Sequence, residues 1–392
     1  MSTPDVDAVI VGGGIGGLAT ALALTLSGRT ARVLERAEKF GEVGAGLQIA
    51  PNATQILRSW GLLDKVIDHG VTPERLVMRD ALDGRELTNL DLADTARRYG
   101  APYVVIHRSD LHDILVGACR DAGVDLVTSA EVIDVETAAT AHATAVGQQR
   151  RDSGRIVIAA DGLGSRLRRR LSADEPVSSA YVAYRGALPL TDLPDLSCLA
   201  LDDVVVYIGP GCHLVQYPLR RGEMFNQVAV FRSDRALAGE DDWGTPDELD
   251  AAFADTCDSV RAALPHLWRD RWWRMYDREP IDNWIDGRLA LTGDAAHPML
   301  QYLAQGACQA LEDAARLAEC VDKHTGETGP DWDRALADYA DARTVRTARI
   351  QQTARRWGDL WHCDGLFRAT RNALLTDRDP HDYRYIDWLY GT

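Results

Sequence analysis

Between Ala8 and Leu26 the chain reads AVIVGGGIGGLATALALTL, and this stretch constrains the fold more than any other. A short apolar run, Ala8–Val11, meets glycines at 12–14 and 16–17, and Leu18–Leu26 then carries apolar residues as a helix would. Gly12, Gly14 and Gly17 make GxGxxG at the joint of a strand and a helix, and Glu35 closes the next apolar run, Ala31–Leu34. The first glycine permits a tight turn, the second lets a pyrophosphate approach the backbone, and the third lets helix pack on strand. The acid is placed to accept from a ribose diol. The stretch is uncharged for long enough to span a bilayer, but its five glycines and the lack of a basic lead-in exclude a membrane span and a signal peptide. Dinucleotide binding on a parallel α/β sheet is the prediction; the motif does not separate FAD from NAD.

A second stretch, 288–314, reads RLALTGDAAHPMLQYLAQGACQALEDA. A buried strand stops at Gly293-Asp294, a Pro-bearing loop follows, and a helix enters through Gly306. Ligands of open α/β sheets bind at such strand ends. Asp294 is placed to accept from a ribose or ribitol hydroxyl, and the N–H groups at Gly306-Ala307 to face the electron-rich end of a cofactor. A third strand end, RIVIAADGLGS at 155–165, runs into Asp161-Gly162, with Ser165 as a cap for a short basic helix. Arg166, Arg168, Arg169 and Arg170 read as a solvated face. The three ends are expected to converge on one ligand.

A chain of 392 residues is too long for one core and divides into sub-domains. Its formal charge of −16 excludes a nucleic-acid binder, so an anionic ligand must be held by a local positive site. The seven cysteines are scattered without a CxxC pair, which predicts reduced thiols in a cytoplasm and neither a disulfide framework nor a metal site. GEVGAGLQIAPN (41–52) reads as a loop approached by something flat, and 75–92 as a hairpin about Asp83-Gly84. From about 179 to 281 the pattern becomes antiparallel β. There His213, Val215 and Tyr217 alternate and share one face, a ceiling suited to a small aromatic ligand. The tail is helical, with Arg343, Arg346 and Arg349 at three-residue spacing, and reads as a packing or dimer helix.

The glycine turn, Glu35-Arg36, the DG segment 161–166 and GDAAHPMLQYLAQGACQALEDA together resemble the single-component, group A FAD-dependent aromatic monooxygenases over nearly the whole chain. EVGAGLQ, RSDLH, DEPVSS, AYRG, QYPLR, NQVAVF and LQYLA are most similar to the branch that hydroxylates 3-hydroxybenzoate. Met299, Gln305 and the segment 137–154 depart from that branch.

The resemblance implies a Rossmann-like FAD-binding domain of the 4-hydroxybenzoate hydroxylase fold (1–73, 100–178 and 282–335). It adds an antiparallel β-sheet substrate domain (74–99 and 179–281) and a C-terminal helical segment (336–392). It implies that Gly12, Gly14, Ile15, Gly16 and Gly17 cradle the FAD pyrophosphate, that Glu35 and Arg36 hold the adenosine, and that Arg108 lies near the phosphates. Asp294 would bind the ribityl or pyrophosphate region, and Asp161 would serve FAD and the nicotinamide cofactor. Val43, Ala45, Gly46, Gly306 and Ala307 would line the isoalloxazine. By the same resemblance the reductant is NADH (or NADPH), docking without a second Rossmann fold. O2 adds to the reduced flavin as a C4a-hydroperoxide, the substrate is a phenolic acid giving gentisate, and the assembly is a homodimer. His213 would take the phenolic proton, Gln301 would orient the substrate or the histidine, and Tyr217 would hold the carboxylate or position the ring. A salicylate-type decarboxylating hydroxylase, a flavoprotein oxidase or reductase of the same fold, and a nonenzymatic nucleotide-binding or regulatory protein are the alternatives.

Overall fold

The strands Val6–Val11, Ala31–Leu34, Arg151–Ala159, apolar from Ile156 on, and Leu289–Leu291 pair in parallel in the computed structural model, which describes residues 4–41, 44–137, 142–193 and 199–391. Near-continuous apolar strands of this kind are those covered on both faces. The order across this sheet is Ile285–Asp286, Leu289–Leu291, Arg151–Ala159, Val6–Val11, Ala31–Leu34, Asp125–Val127. Register decides what the sheet presents at its edge. Val11 pairs with both Leu34 and Ala159, and Ala159 pairs with Leu291. Gly12, Glu35, Asp161 and Gly293-Asp294 therefore leave the sheet at about one level, which is why the three expected strand ends converge. The helices Ile15–Leu26 and Gly306–Lys323 pack together over this edge.

A second sheet of seven strands stands opposite, in the order Trp273–Asp277, Val177–Pro189, Met224–Arg232, Cys212–Leu219, Asp203–Gly209, Arg75–Asp80, Glu86–Asp91. Its alternation is strict. Val206, Ile208, Val215, Tyr217, Val228 and Val230 face the large core shared with the first sheet. Tyr207, Leu214, Ala229 and Phe231 face a separate core with Trp243, Leu249, Phe253 and Leu264. The hairpin turns at Gly84 (φ +74°) as expected, but the strand Arg75–Asp80 joins Asp203–Gly209 in parallel, so the sheet is not wholly antiparallel.

Two readings of the sequence are corrected. Within 41–52, Gly46–Ile49 is a strand antiparallel to Val104–His107, and Pro51–Ser59 is a helix. The glycines suggested a loop because the pairing partner lies far along the chain. Arg168 is not on a solvated face: it is fully buried, donating to Asp174 at 2.9 Å, to the carbonyl oxygens of Ala295 and Ala296, and to that of Glu279. It ties the Asp161 segment to the Asp294 segment.

The tail contributes a helix of 30 residues, Trp332–Trp361, begun by Asp331 accepting from the Arg334 N–H. Arg343 on this helix is buried and donates to Asp313 (2.7 Å) and Glu312 (2.6 Å), and Arg346 donates to Glu312 (2.6 Å). The arginine row thus packs within the chain, against the helix that starts at Gly306. Burial pushes the Asp313 carboxyl up, but His297 and Arg343 bring it down to about 2. Its Oδ2 accepts from the Gly293 N–H at 2.9 Å, which fixes the turn carrying Asp294. Among the described residues six cysteines are free, and no helix is long and apolar enough to cross a membrane.

Candidate active site

The two sheets enclose a cavity of about 1290 Å³. That exceeds the roughly 300–1,000 Å³ usual for one drug-sized ligand, and suits a dinucleotide with a second molecule beside it. Gly12, Gly14, Ile15, Gly16, Glu35, Arg36, Gly46, Arg108, Asp161, Asp294, Gly306 and Ala307 line it, as do His213, Tyr217 and Gln301. Gly17 and Ala45 do not. Gly17 lies behind the turn, where a Cβ would stand 2.0 Å from the Gly12 carbonyl oxygen, and Ala45 is fully buried with its carbonyl accepting from the Arg108 N–H at 3.1 Å. Val43 lies outside the described residues.

The side of this cavity that carries the glycine turn is mostly backbone. Gly12 takes φ +110°, a region that disfavours any side chain, and a Cβ there would sit 2.4 Å from the Ala160 carbonyl oxygen. The Glu35 carboxylate reaches back across the turn, accepting from the Gly13 N–H at 2.7 Å and the Ala37 N–H at 2.8 Å. His112, buried behind the turn, is within 2.7 Å of the Gly13 carbonyl oxygen; the RSDLH motif held it, but sequence reasoning assigned it no role. Asp161 is turned into its own loop, accepting from the Ser165 hydroxyl at 2.6 Å and the Arg166 N–H at 3.0 Å. Asp294 is exposed, with no side-chain partner among the described residues, and a Cβ at Gly306 would meet no atom within 4 Å. An unobstructed turn, a free helix N-terminus and an unpartnered carboxylate on one wall fit a flavin dinucleotide.

The opposite wall is made of side chains. Pairing across the second sheet sets Arg185, Val228, Val215, Val206, Met78 and Thr88 in one row, and all of them line the cavity. His213 lies one step along its strand, with 1% of its surface exposed. Its Nδ1 is 2.8 Å from Nε2 of His362, which leaves its Nε2 without a hydrogen bond among the described residues. Tyr302 and Trp361 pack edge-on against the imidazole, with ring centroids 5.6 and 5.1 Å away. Burial, with a smaller push from His362, holds His213 well below the usual 6.5, so it is neutral and able to accept a proton at pH 7. His362 stacks on Tyr181 and is brought down to about 3, by burial first and then by Arg371 and Arg232. His362 went unnoticed in the sequence because it lies far along the chain, just past the end of the helix Trp332–Trp361.

Tyr217 is buried one step the other way. A Cβ at Gly46 would come within 2.4 Å of its ring, so the glycine that opens the strand Gly46–Ile49 is the space this phenol occupies. Burial raises the phenol above its usual range, so it stays a hydroxyl. Gln301 begins a short turn, Gln301–Leu303, whose next residue, Ala304, takes φ +52°. The Gln301 amide has no partner among the described residues. Gln305, by contrast, is buried and accepts from the Asn52 amide at 3.0 Å, anchoring the loop to the helix Pro51–Ser59.

The chain matches the FAD binding domain family model over residues 5–354. It is 37% identical to the 3-hydroxybenzoate 6-hydroxylase of Polaromonas naphthalenivorans, over 99% of this chain and 96% of that one. It is 38% identical to the 3-hydroxybenzoate 6-hydroxylase of Klebsiella oxytoca, over 98% and 96%. Among solved structures, Klebsiella pneumoniae HpxO complexed with FAD and uric acid superposes with a TM-score of 0.81 at 25% identity, covering 95% of this chain and 93% of that one.

Proposed function

The chain belongs to the group A FAD-dependent aromatic monooxygenases, and from that premise we propose that it converts 3-hydroxybenzoate to 2,5-dihydroxybenzoate, consuming O2 and NADH (or NADPH). The single observation that carries this reading beyond the family is His213: a neutral imidazole, buried in the chamber that holds the flavin cradle, with Nε2 unbonded and Nδ1 held by His362. Hydroxylating a phenol para to its oxygen requires the ring to be electron-rich, and loss of the phenolic proton makes it so.

On this reading 1–73, 100–178 and 282–335 form the flavin-binding unit, 74–99 and 179–281 the substrate unit, and 336–392 a helical segment that closes the chamber. Gly12, Gly14, Ile15 and Gly16 hold the pyrophosphate, Glu35 and Arg36 the adenosine, and Asp294 the ribityl region. Arg108 and Asp161 lie along the same wall, and Gly46, Gly306 and Ala307 flank the ring. When bound and reduced, FAD supplies the activated oxygen from O2. The chain's own residues prepare the substrate. For Nε2 of His213 to accept the phenolic proton, His213 must carry its hydrogen on Nδ1 and donate it to Nε2 of His362, so His362 sets the tautomer of the base. Gln301, with a free amide on the loop opposite, orients the phenol. The apolar row of Val228, Val215, Val206 and Met78 keeps water from the reacting face.

The test is to follow NADH oxidation, peroxide and aromatic product on FAD-loaded enzyme with 3-hydroxybenzoate and, in parallel, salicylate. The expected result is 2,5-dihydroxybenzoate from the first with little peroxide. Decarboxylated product from salicylate at a higher rate would replace this reading with the salicylate-type one.

A further inference from the structure

A chain with net charge −16 must hold an anionic substrate by a local positive group, and the substrate side of the chamber contains one. Arg185 lines the cavity from the strand Val177–Pro189. Its Nε is buried without a hydrogen-bond partner, and no carboxylate among the described residues lies within ion-pair distance. The other arginines on this lining differ. Arg166 pairs with Glu131, Arg384 with Asp382, Arg378 donates to Thr88 and the Asn89 carbonyl, Arg108 is engaged in an interaction of its own, and Arg36 is exposed. Burial lowers the affinity of Arg185 for its proton, with a smaller contribution from Arg108, yet a guanidinium stays charged at neutral pH. A desolvated cation without a counter-charge is costly unless a ligand supplies the charge.

We propose that Arg185 is the anion subsite of the chamber and receives the carboxylate of the aromatic acid, with the Tyr217 hydroxyl as a second donor. Three geometric facts support it. The guanidinium lies over the Trp273 ring, 5.4 Å from its centroid, which fixes the plane of its fork for two parallel hydrogen bonds. Arg185 and His213 sit two strands and one register step apart, so at about 4.8 Å per strand and 3.4 Å per residue their backbones stand roughly 12 Å apart. Two side chains and one meta-substituted ring fill that span, carboxylate at one end and phenol at the other. Tyr217, kept protonated by burial, sits one register step from the row on the side away from His213, within electrostatic reach of Arg185, and offers a hydrogen rather than a competing charge. The inference rests on the reading above that the substrate is an aromatic acid.

The test uses FAD-loaded wild type, Arg185→Met and Arg185→Lys. Dissociation constants for 3-hydroxybenzoate and for its neutral isostere 3-hydroxybenzyl alcohol are read from the flavin absorbance change, with flavin content and NADH KM as controls. Arg185→Met is expected to weaken the acid by about 100-fold or more, the loss typical of a buried charge pair, and to change the alcohol by less than about threefold. Arg185→Lys should recover part of the acid affinity, since it restores the charge without the fork. Equal weakening of acid and alcohol would overturn the assignment, as would unchanged acid affinity with a raised NADH KM, which would move Arg185 to the reductant's contact. If Arg185→Met loses its flavin, the lysine and wild-type enzymes decide the matter: acid affinity equal in the two, or no wild-type preference for the acid, overturns it. Failure of the broader reading looks different, as selective acid binding without a hydroxylated product.

Discussion

On the glycine-turn side of the chamber the wall is backbone: glycines at 12–14 and 16, the turn at Gly293-Asp294 and the start of a helix at Gly306. On the sheet side the wall is side chain: His213, Tyr217 and the row from Arg185 to Met78. The first wall works by leaving groups out, so that a ligand can touch N–H donors held by a rigid sheet edge. The second works by placing groups, so its chemistry depends on which strands lie side by side. Damage to the first wall should therefore abolish binding of the cofactor, and damage to the second should abolish chemistry while the cofactor stays.

Gly12→Val is the most disruptive break of that comparison. Its Cβ would stand 2.4 Å from the Ala160 carbonyl oxygen at φ +110°, and strain of about 1–3 kcal/mol adds to overpacking of about 1–3 kcal/mol. A melting temperature lower by several degrees and no flavin retained per chain are expected, read by thermal unfolding and by absorbance after reconstitution. His213→Ala should act in the opposite sense. Flavin content and NADH binding remain, while hydroxylation falls by about 10²–10⁴-fold, the range for removing a general base. Product formation at the wild-type rate would remove His213 from the chemistry and leave the flavin wall untouched.

The same contrast explains what the sequence made legible. Gly12, Glu35, Asp161 and Asp294 each sit where an apolar run stops, so local pattern located them, and parallel register brought them level. The shared face of His213, Val215 and Tyr217 was equally readable, because a strand's period of two is local. Arg185 lies within the AYRG motif, but its place beside Val228 and Val215 depends on pairings over three strands that no spacing encodes. His362 reaches His213 only because the helix Trp332–Trp361 is long enough to cross the chamber. Arg168 was misread for the mirror-image reason. Four arginines within five residues look solvated until the carbonyls of Ala295, Ala296 and Glu279 surround one of them.

His362 sharpens the comparison with the smallest effect, because it touches His213 and lies outside the cavity lining. His362→Phe keeps a ring to stack on Tyr181 and removes the ring nitrogen that stands 2.8 Å from Nδ1 of His213. Hydroxylation should fall by about fivefold, well short of the loss in His213→Ala, since an orienting hydrogen bond is worth roughly 1 kcal/mol. Stability carries a second signature whose sign is fixed. His362 titrates at about 3 in the folded chain against 6.5 for the free side chain, so below pH 6.5 the unfolded chain binds the extra proton. The wild type must then lose stability as pH falls, at about 1.4 kcal/mol per pH unit for this group and roughly 2 kcal/mol by pH 5. Asp313, brought down to about 2 from 3.8, contributes stability that is lost only at lower pH, so it leaves this window clear. Urea unfolding of the FAD-loaded enzyme at pH 7 and pH 5 should therefore show a smaller loss in His362→Phe than in wild type, by about 2 kcal/mol. Equal losses would mean that His362 is already protonated in the folded chain at pH 5, and the tautomer assigned to His213 would have to be reversed.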